Sequence, residues 1–325
     1  MKIIALVLWP LAAAVSVSAS AAAGAFPERP LRIVVPFAPG GGSDFVVRVL
    51  ATRLPEVLGQ NAVVDNRPGG ASLLATQLVA NAPNDGYTLI LQDLIPFVVN
   101  HTIYKNAGYD PVRSFSPVAR IATTPMLFVV NPAVPARSVQ EFVALAKSQP
   151  GNFTMGNGGT GGATHLAAVL FAQTARIDMT MVPYKGGTGP ALTDVIGGHV
   201  HAIIATGPAV MPHVKSGRLR VLAVASDKRL TLVPEAPTVL EAGLQGYVVA
   251  NTYVMVTAAR TPAPILAKLH DAFVRILQLP DIASRMAAAI IEPAPSASPE
   301  ELRTILAAEV VRWGRVVKAA DIRLD

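Results

Sequence analysis

Short apolar runs rich in β-branched residues alternate along the chain with segments of helical periodicity. The runs that predict strands are 33–37, 62–65, 87–91, 126–130, 181–183, 201–205 and 219–225. Periodicity and capping residues predict helices over 139–147, 263–277 and 299–318, with Ser138 as the N-cap of the first of these. This alternation predicts an α/β fold with a largely parallel sheet.

Two glycine-rich turns each lie between a predicted strand and a predicted helix. The first spans residues 39–44, where Ser43 is expected to be the N-cap of the helix. The second lies within a strand–turn–helix unit over residues 153–175. Helix N-termini carry free N–H groups that bind anions, and ligands of α/β sheets bind at the carboxyl ends of strands. The two turns therefore predict two lobes that share a cleft for a small acidic molecule.

The second turn also has the spacing of a dinucleotide site, Gly-x-Gly-x-x-Gly from Gly156 to Gly161. The acidic residue is misplaced for that role, because Asp178 precedes the next predicted strand instead of ending it. A small-anion site is therefore favoured, and a turn without a ligand is the other alternative. His165 is expected to fix this turn more than to contact a ligand.

Composition narrows the chemistry further. The chain has no Cys, and no acidic residues accompany the pair His199 and His201, so no metal site is expected. Paired carboxylates and a base–nucleophile set are missing from the sequence, which predicts no enzyme activity and no cofactor. The formal net charge of +6 is scattered and aromatic residues make up 6%, which argues against a nucleic-acid partner.

The N-terminus has the pattern of a secretory signal peptide over residues 1–25. Lys2 precedes an apolar segment over 3–15, and small residues follow with cleavage sites of the A-x-A type. The apolar segment is short for a membrane anchor. We therefore expect export, cleavage near Ala25 and a periplasmic location. The remaining chain, roughly 300 residues, is long enough for two domains.

An ordered set of stretches resembles the periplasmic solute-binding receptors of tripartite tricarboxylate transporters, the Bug family. They are PFAPGGGSD (36–44), DNRPGG (65–70), NDGYTLIL (84–91), VPYKGG (182–187), PALTDVIGGHV (190–200), MPHVKSGRLRVLAVAS (211–226), PEAPTVLEAGLQGY (234–247) and VRWGRVVKAA (311–320). The resemblance implies a two-lobed type II periplasmic binding protein fold with a ligand cleft between the lobes. Lobe 1 would comprise 26–126 plus 248–325, and lobe 2 would comprise 127–247.

The resemblance further implies a monomeric receptor that captures a small organic carboxylate for a membrane permease. A ligand-sensing subunit of a signalling system is the alternative. Family ligands are typically di- and tricarboxylates, acidic amino acids or aromatic acids, held by N–H groups and hydroxyls of both turns. The residues expected to bind the ligand are Phe37, Pro39, Gly40, Gly41, Gly42, Ser43, Asp44, Gln92, Asp93, Gly159, Thr160, Gly161, Gly162, Thr164, His165, Tyr184, Lys185 and Thr206.

Several positions depart from the family pattern. Gly162 stands where Ser is frequent, so that Thr160 would have to supply a hydroxyl. Asp93 stands where relatives carry a small polar turn. Facing the cleft, it would repel a second carboxylate or pair with an ammonium, which favours a monocarboxylate or a zwitterion; facing solvent, it would do neither. Tyr253 replaces a common Trp and His201 a common Asp, so the ligand cannot be copied from a relative.

Overall fold

The computed structural model describes residues 26–185 and 187–324. The signal peptide predicted over residues 1–25 lies outside the described residues. Within the described ranges, no helix is both long enough and apolar enough to cross a membrane.

Strands and helices alternate along the described residues, as the apolar pattern predicts. The strands are β1 (Leu31–Val35), β2 (Ala62–Asn66), β3 (Thr88–Asp93), β4 (Phe115–Val130), β5 (Thr154–Asn157), β6 (Thr180–Pro183), β7 (Ala202–Thr206), β8 (Arg220–Val224), β9 (Ala250–Ala258) and β10 (Glu292–Pro293). The helices are α1 (Gly42–Ala51), α2 (Leu54–Leu58), α3 (Leu73–Ala80), α4 (Leu94–Ile103), α5 (Val139–Ser148), α6 (Ala163–Ala175), α7 (Thr188–Ile196), α8 (Gly207–Lys215), α9 (Ala263–Leu277), α10 (Pro280–Ala288) and α11 (Pro299–Ala319).

The strands form a sheet with the order β2-β1-β3-β9-β4-β7-β5-β6, and β4 also pairs with β8 and β10. The prediction of a largely parallel sheet is wrong, because every ladder formed by β4 and β9 is antiparallel, and of the described ladders only those among β1, β2 and β3 and among β5, β6 and β7 are parallel. Strand β4 changes partners along its length. Its residues up to Pro125 pair with β9, and its residues from Met126 onward pair with β7 and β8. We call the two parts the first half-sheet (β1, β2, β3, β9, β10 and residues 115–125) and the second half-sheet (residues 126–130, β5, β6, β7 and β8).

The sequence pattern predicts only residues 126–130 of β4 and misses 115–125 together with β9. Pro117 and Pro125 interrupt the apolar run, and proline is ordinarily confined to strand edges and bulges. The structure accommodates Pro117 at a register shift between Pro117 and Ala119, where the ladder to β9 is irregular. A tertiary feature therefore extends the strand through a sequence that argues against it.

Helix α11 packs against both half-sheets. It contacts α4, which lies beside β3, and α6, which lies beside β5. Its own residue Trp313 is buried in the core. Arg312 Nη2 donates a hydrogen bond to the Val248 carbonyl at 2.6 Å, and Gln173 Nε2 donates one to the Val316 carbonyl at 3.2 Å. The C-terminal helix thus joins the two parts of the molecule.

The structure confirms one of the two predicted N-cap residues and contradicts the other. Ser138 caps α5 as predicted, since its Oγ accepts a hydrogen bond from the Glu141 N–H at 3.1 Å. The prediction that Ser43 is the N-cap of α1 is wrong. Gly41 is the N-cap, with φ −82° and ψ 175°, and Ser43 lies inside the first turn. Its hydroxyl is engaged by another helix, as described below.

Candidate functional site

A cavity of about 740 Å³ lies between the half-sheets, at the carboxyl ends of their parallel strands. Its wall is formed by Phe37, Gly40, Gly41, Gly42, Ser43, Ala71, Asp93, Pro96, Met126, Gly158, Gly159, Thr160, Gly161, Gly162, Ala163, Thr164, Lys185, Gly187, Thr188, Thr206, Pro208, Ala209, Asn251 and Tyr253. This volume suits a small organic molecule.

Helix N-termini from both half-sheets converge on this cavity. The N-cap residues of α1, α4, α6, α7 and α8 all line it, and they are Gly41, Asp93, Gly162, Gly187 and Thr206. The first N–H groups of a helix have no intrahelical acceptor, and each N-terminus carries a partial positive charge of roughly 0.5 e. The wall has few charged side chains, but its backbone N–H groups offer many hydrogen-bond donors to an anion.

Asp44 shapes the first glycine turn from outside the cavity. Its carboxylate accepts hydrogen bonds from the Gly40 N–H at 3.0 Å, from Arg48 Nε at 2.9 Å and from Asn66 Nδ2 at 3.0 Å. Burial opposes the ionisation of Asp44, but these hydrogen bonds outweigh it and lower its pKa. Gly40 adopts a φ of +89°, which favours glycine. Asp44 thus holds the turn open toward the cleft.

Gly42 lets a tyrosine approach the start of α1. A Cβ atom at this position would collide with Tyr253 Oη. Tyr253 is 3% exposed and lines the cavity, and burial raises the pKa of its phenol to about 12. The phenol therefore stays protonated at physiological pH and can donate a hydrogen bond.

The second turn is held by the first residues of its own helix. Thr164 Oγ1 accepts a hydrogen bond from the Gly158 N–H at 2.8 Å, and His165 Nδ1 accepts one from the Gly161 N–H at 3.2 Å. Burial lowers the pKa of His165, which keeps the ring neutral and its Nδ1 an acceptor. His165 is buried behind the turn, in line with its expected role of fixing it.

The start of α7 presses against the same turn. A Cβ atom at Gly158 would lie 3.0 Å from the Thr188 backbone nitrogen, so only glycine allows this contact without a shift. The sequence reasoning did not include Thr188 or Gly187 among the site residues. Their signal was the pair of glycines after β6, which resembles the other two strand–glycine–helix junctions.

Asp93 lies in the cleft, which decides between the two orientations that the sequence left open. Ser43 Oγ donates a hydrogen bond to Asp93 Oδ1 at 2.8 Å. Burial raises the pKa of Asp93 to about 6, although hydrogen bonding by Ser43 and Asn251 acts in the opposite direction. Lys185 also lines the cavity. In the described part of the chain, no group of three or more His, Asp or Glu side chains is placed to hold a metal ion.

The cavity brings most of the sequence-predicted residues together. Those that line it are Phe37, Gly40, Gly41, Gly42, Ser43, Asp93, Gly159, Thr160, Gly161, Gly162, Thr164, Lys185 and Thr206. Five predicted residues are not part of its wall: Pro39, Asp44, Gln92, His165 and Tyr184.

Gln92 and Tyr184 are engaged elsewhere. Gln92 is fully buried and its Nε2 donates a hydrogen bond to Thr76 Oγ1 at 2.6 Å. Tyr184 donates its phenolic hydrogen to Asp194 Oδ2 at 2.5 Å. The period of a strand explains the case of Gln92, because consecutive residues of β3 point to opposite faces and Asp93 takes the cleft side.

Two half-sheets that share a cleft lined by helix N-termini define a protein that binds a small solute. Residues 46–322 match the family model described as tripartite tricarboxylate transporter family receptor. The chain belongs to this family. Its receptors are periplasmic solute-binding proteins.

Individual relatives agree with this assignment. Protein BugT of Bordetella pertussis is 33% identical over 313 residues, which cover 96% of this chain and 95% of BugT. A protein of R. palustris solved with adipate is 34% identical, with a TM-score of 0.81, over 92% of this chain and 99% of that chain. MatC from Rhodopseudomonas palustris with bound malate is 31% identical, with a TM-score of 0.78, over 90% of this chain and 100% of that chain. These likenesses confirm the predicted two-lobed fold.

Proposed function

We propose that this protein is a periplasmic receptor that captures a small organic carboxylate and delivers it to a membrane permease of the tripartite tricarboxylate type. The observation that carries the proposal is the convergence of helix N-caps from both half-sheets on one cavity. Backbone N–H groups and hydroxyls bind a carboxylate well, because they donate hydrogen bonds in a fixed geometry to both of its oxygens.

The donors of the wall come from both sides of the cleft. The backbone N–H groups of Ser43 and the glycines before it lie at the start of α1, beside the first half-sheet. Thr160 and Thr164 lie around the start of α6 and Thr206 lies at the end of β7, on the side of the second half-sheet. A carboxylate held between them would join the two sides. The adipate and malate bound in the two R. palustris relatives are carboxylates as well, which supports the ligand class.

Capture would proceed by closure of two lobes. We assign residues 26–126 plus 248–325 to lobe 1 and residues 127–247 to lobe 2. Strand β4 passes from one half-sheet to the other between Pro125 and Met126, which makes this point a natural hinge. The ligand would shift the equilibrium toward the closed form, because only that form offers it donors from both lobes.

We further propose that the protein is exported and that it binds its ligand without converting it. The pattern of residues 1–25 supports a cleaved signal peptide, and the chain would act in the periplasm without turnover of its ligand. The glycine turn at 156–161 supports this, because Thr164 and His165 occupy the N–H groups of Gly158 and Gly161. Those two groups would be the donors that a pyrophosphate needs.

The decisive experiment is a binding screen. The protein would be unfolded and refolded to remove any co-purified ligand, then titrated by calorimetry with mono-, di- and tricarboxylates and amino acids. Each binding acid would be compared with its methyl ester. We expect at least one acid to bind with its ester inert, and a ligand at a hundred times its Kd to stabilise the fold by about 2.7 kcal/mol. Binding of a neutral solute or a nucleotide in place of every acid would contradict the proposal.

A further inference from the structure

The cavity contains a patch of hydrogen-bond acceptors beside its many donors. Asp93 is the residue of β3 that stands opposite Tyr253 of β9 in the antiparallel ladder. Because side chains alternate along a strand, Asn251 projects from the same face of β9 as Tyr253. All three residues line the cavity. The end of β3 and the start of β9 thus form one polar wall.

The side chain of Asn251 is almost fully buried, but one of its polar atoms has no hydrogen-bond partner. Asn251 is 4% exposed, and its Oδ1 accepts no hydrogen bond within the described residues. Buried polar atoms are nearly always paired in proteins, so an unpartnered amide oxygen beside a binding cavity indicates a donor that arrives with the ligand.

Asp93 lacks a cation. The groups that bond its carboxylate are the hydroxyl of Ser43 and the side chain of Asn251, and no described Lys, Arg or His forms an ion pair with it. A buried carboxylate without a counter-charge is costly, and a positive group that binds next to it offsets part of that cost.

We propose that the ligand is an amino acid zwitterion, whose carboxylate binds at the helix N-termini and whose ammonium binds at Asp93 and Asn251. This inference rests on the proposed function and adds the second recognition element to it. An ammonium has three N–H donors, which can serve the Asp93 carboxylate and the Asn251 oxygen together. A second carboxylate at this position would instead be repelled by Asp93.

Ser43 links the N-terminus of α1 to the acceptor patch. Its backbone belongs to the first turn of α1, and its hydroxyl bonds directly to Asp93. The N-terminus of α1 and the acceptor patch therefore adjoin each other through Ser43. Adjoining sites for an anion and a cation suit an α-amino acid, in which one carbon joins the ammonium and the carboxylate.

The test compares α-amino acids with the same acids that lack the amino group, such as alanine with propionate, glutamate with glutarate and phenylalanine with 3-phenylpropionate. Binding to the refolded protein is measured by calorimetry at neutral pH. We expect the tightest amino acid to bind about 100-fold more strongly than its counterpart, because a buried charge pair broken on one side typically costs a factor of roughly 30 or more.

The variants Asp93→Asn and Asp227→Asn remove the same charge from two places. Asp227 is exposed and lies outside the cavity, so its variant is the matched control. We expect Asp93→Asn to weaken amino acid binding about 100-fold while its melting temperature stays at or above that of the wild type, and Asp227→Asn to change neither.

The results distinguish failure of the zwitterion proposal from failure of the proposed carboxylate receptor. If counterparts without the amino group bind as tightly as the amino acids, or if Asp93→Asn leaves amino acid affinity unchanged, the zwitterion is wrong and the carboxylate receptor stands. If no carboxylate of either series binds, the proposed function itself fails.

Discussion

Ser43 Oγ donates a hydrogen bond to Asp93 Oδ1 over 2.8 Å, and this contact ties the first turn of α1 to the N-cap of α4. Ser43 therefore serves the cavity and not its own helix, whose N-cap is Gly41. The same bond holds the Asp93 carboxylate at the place where a ligand would meet it. The relationship leads to measurable consequences for stability and binding.

The pH dependence of stability should reveal Asp93. Burial raises the pKa of Asp93 to about 6 in the folded state from 3.8, so the folded protein binds this proton more tightly than the unfolded chain does. Stability from this group is complete below pH ~4 and is lost as the pH rises through about 6. Without ligand, we expect Asp93→Asn to exceed the wild type at pH 7.5 by about 1–3 kcal/mol and to match it near pH 4.

Denaturant unfolding between pH 4 and 8 measures this difference. The groups that contact Asp93 do not distort the comparison, because Tyr253 stays protonated, since burial raises its pKa to about 12, and the side chains of Ser43 and Asn251 do not titrate in this range. Stability curves that run parallel over the whole range would show that Asp93 pays no burial cost.

A side chain at Gly41 should block binding and spare the fold. Gly41 lines the cavity with an ordinary φ of −82°, and the nearest atom to a Cβ there is the Ala38 carbonyl oxygen at 3.8 Å. We expect Gly41→Leu to abolish detectable binding and to cost only about 1 kcal/mol of stability, from the poorer N-cap.

Two further variants serve as comparisons for Gly41. Gly41→Ala shares the loss of the glycine N-cap but fills little of the cavity, so it should retain more affinity. Gly159→Leu is a poor probe, because Gly159 has a φ of +119° and any side chain there is strained. Full affinity in folded Gly41→Leu would remove the first glycine turn from the site.

We expect the hydroxyl of Thr164 to contribute to both stability and ligand binding. Thr164→Val removes the acceptor of the Gly158 N–H, which we expect to cost about 1–3 kcal/mol of stability and to weaken binding, since Thr164 also lines the cavity. Thr164→Ser retains the hydroxyl and should remain close to the wild type in both. Thermal unfolding and calorimetry on the two variants give the answer, and equal behaviour of Val and Ser would contradict the assignment.

Ser138 provides a test of stability alone. Ser138→Ala removes the capping bond to the Glu141 N–H and should cost about 1 kcal/mol, whereas Ser138→Asp preserves a good N-cap. Ligand affinity should not change in either variant, because Ser138 does not line the cavity. A change of affinity in Ser138→Ala would mean that α5 is coupled to the cleft.

Local signals predicted local structure well. Ser138 caps its helix and the helix over 263–277 has the predicted bounds, since capping and periodicity depend on residues within a few positions of each other. The same reasoning failed at Ser43, where a hydrogen bond to a different helix competes with capping. The full length of β4 was missed because a tertiary bulge, invisible in the local pattern, accommodates a proline.

The residue pattern was sufficient to predict the α/β class and the two glycine turns that open helices, because these properties follow from neighbouring residues. The tertiary structure was needed to show that Gly187 and Thr188 join the same wall and that Asp93 faces it beside Asn251 and Tyr253. Those neighbours lie far apart in the chain, and strand pairing between β3 and β9 brings them together. Pairing depends on the packing of the whole sheet, which a local pattern does not contain.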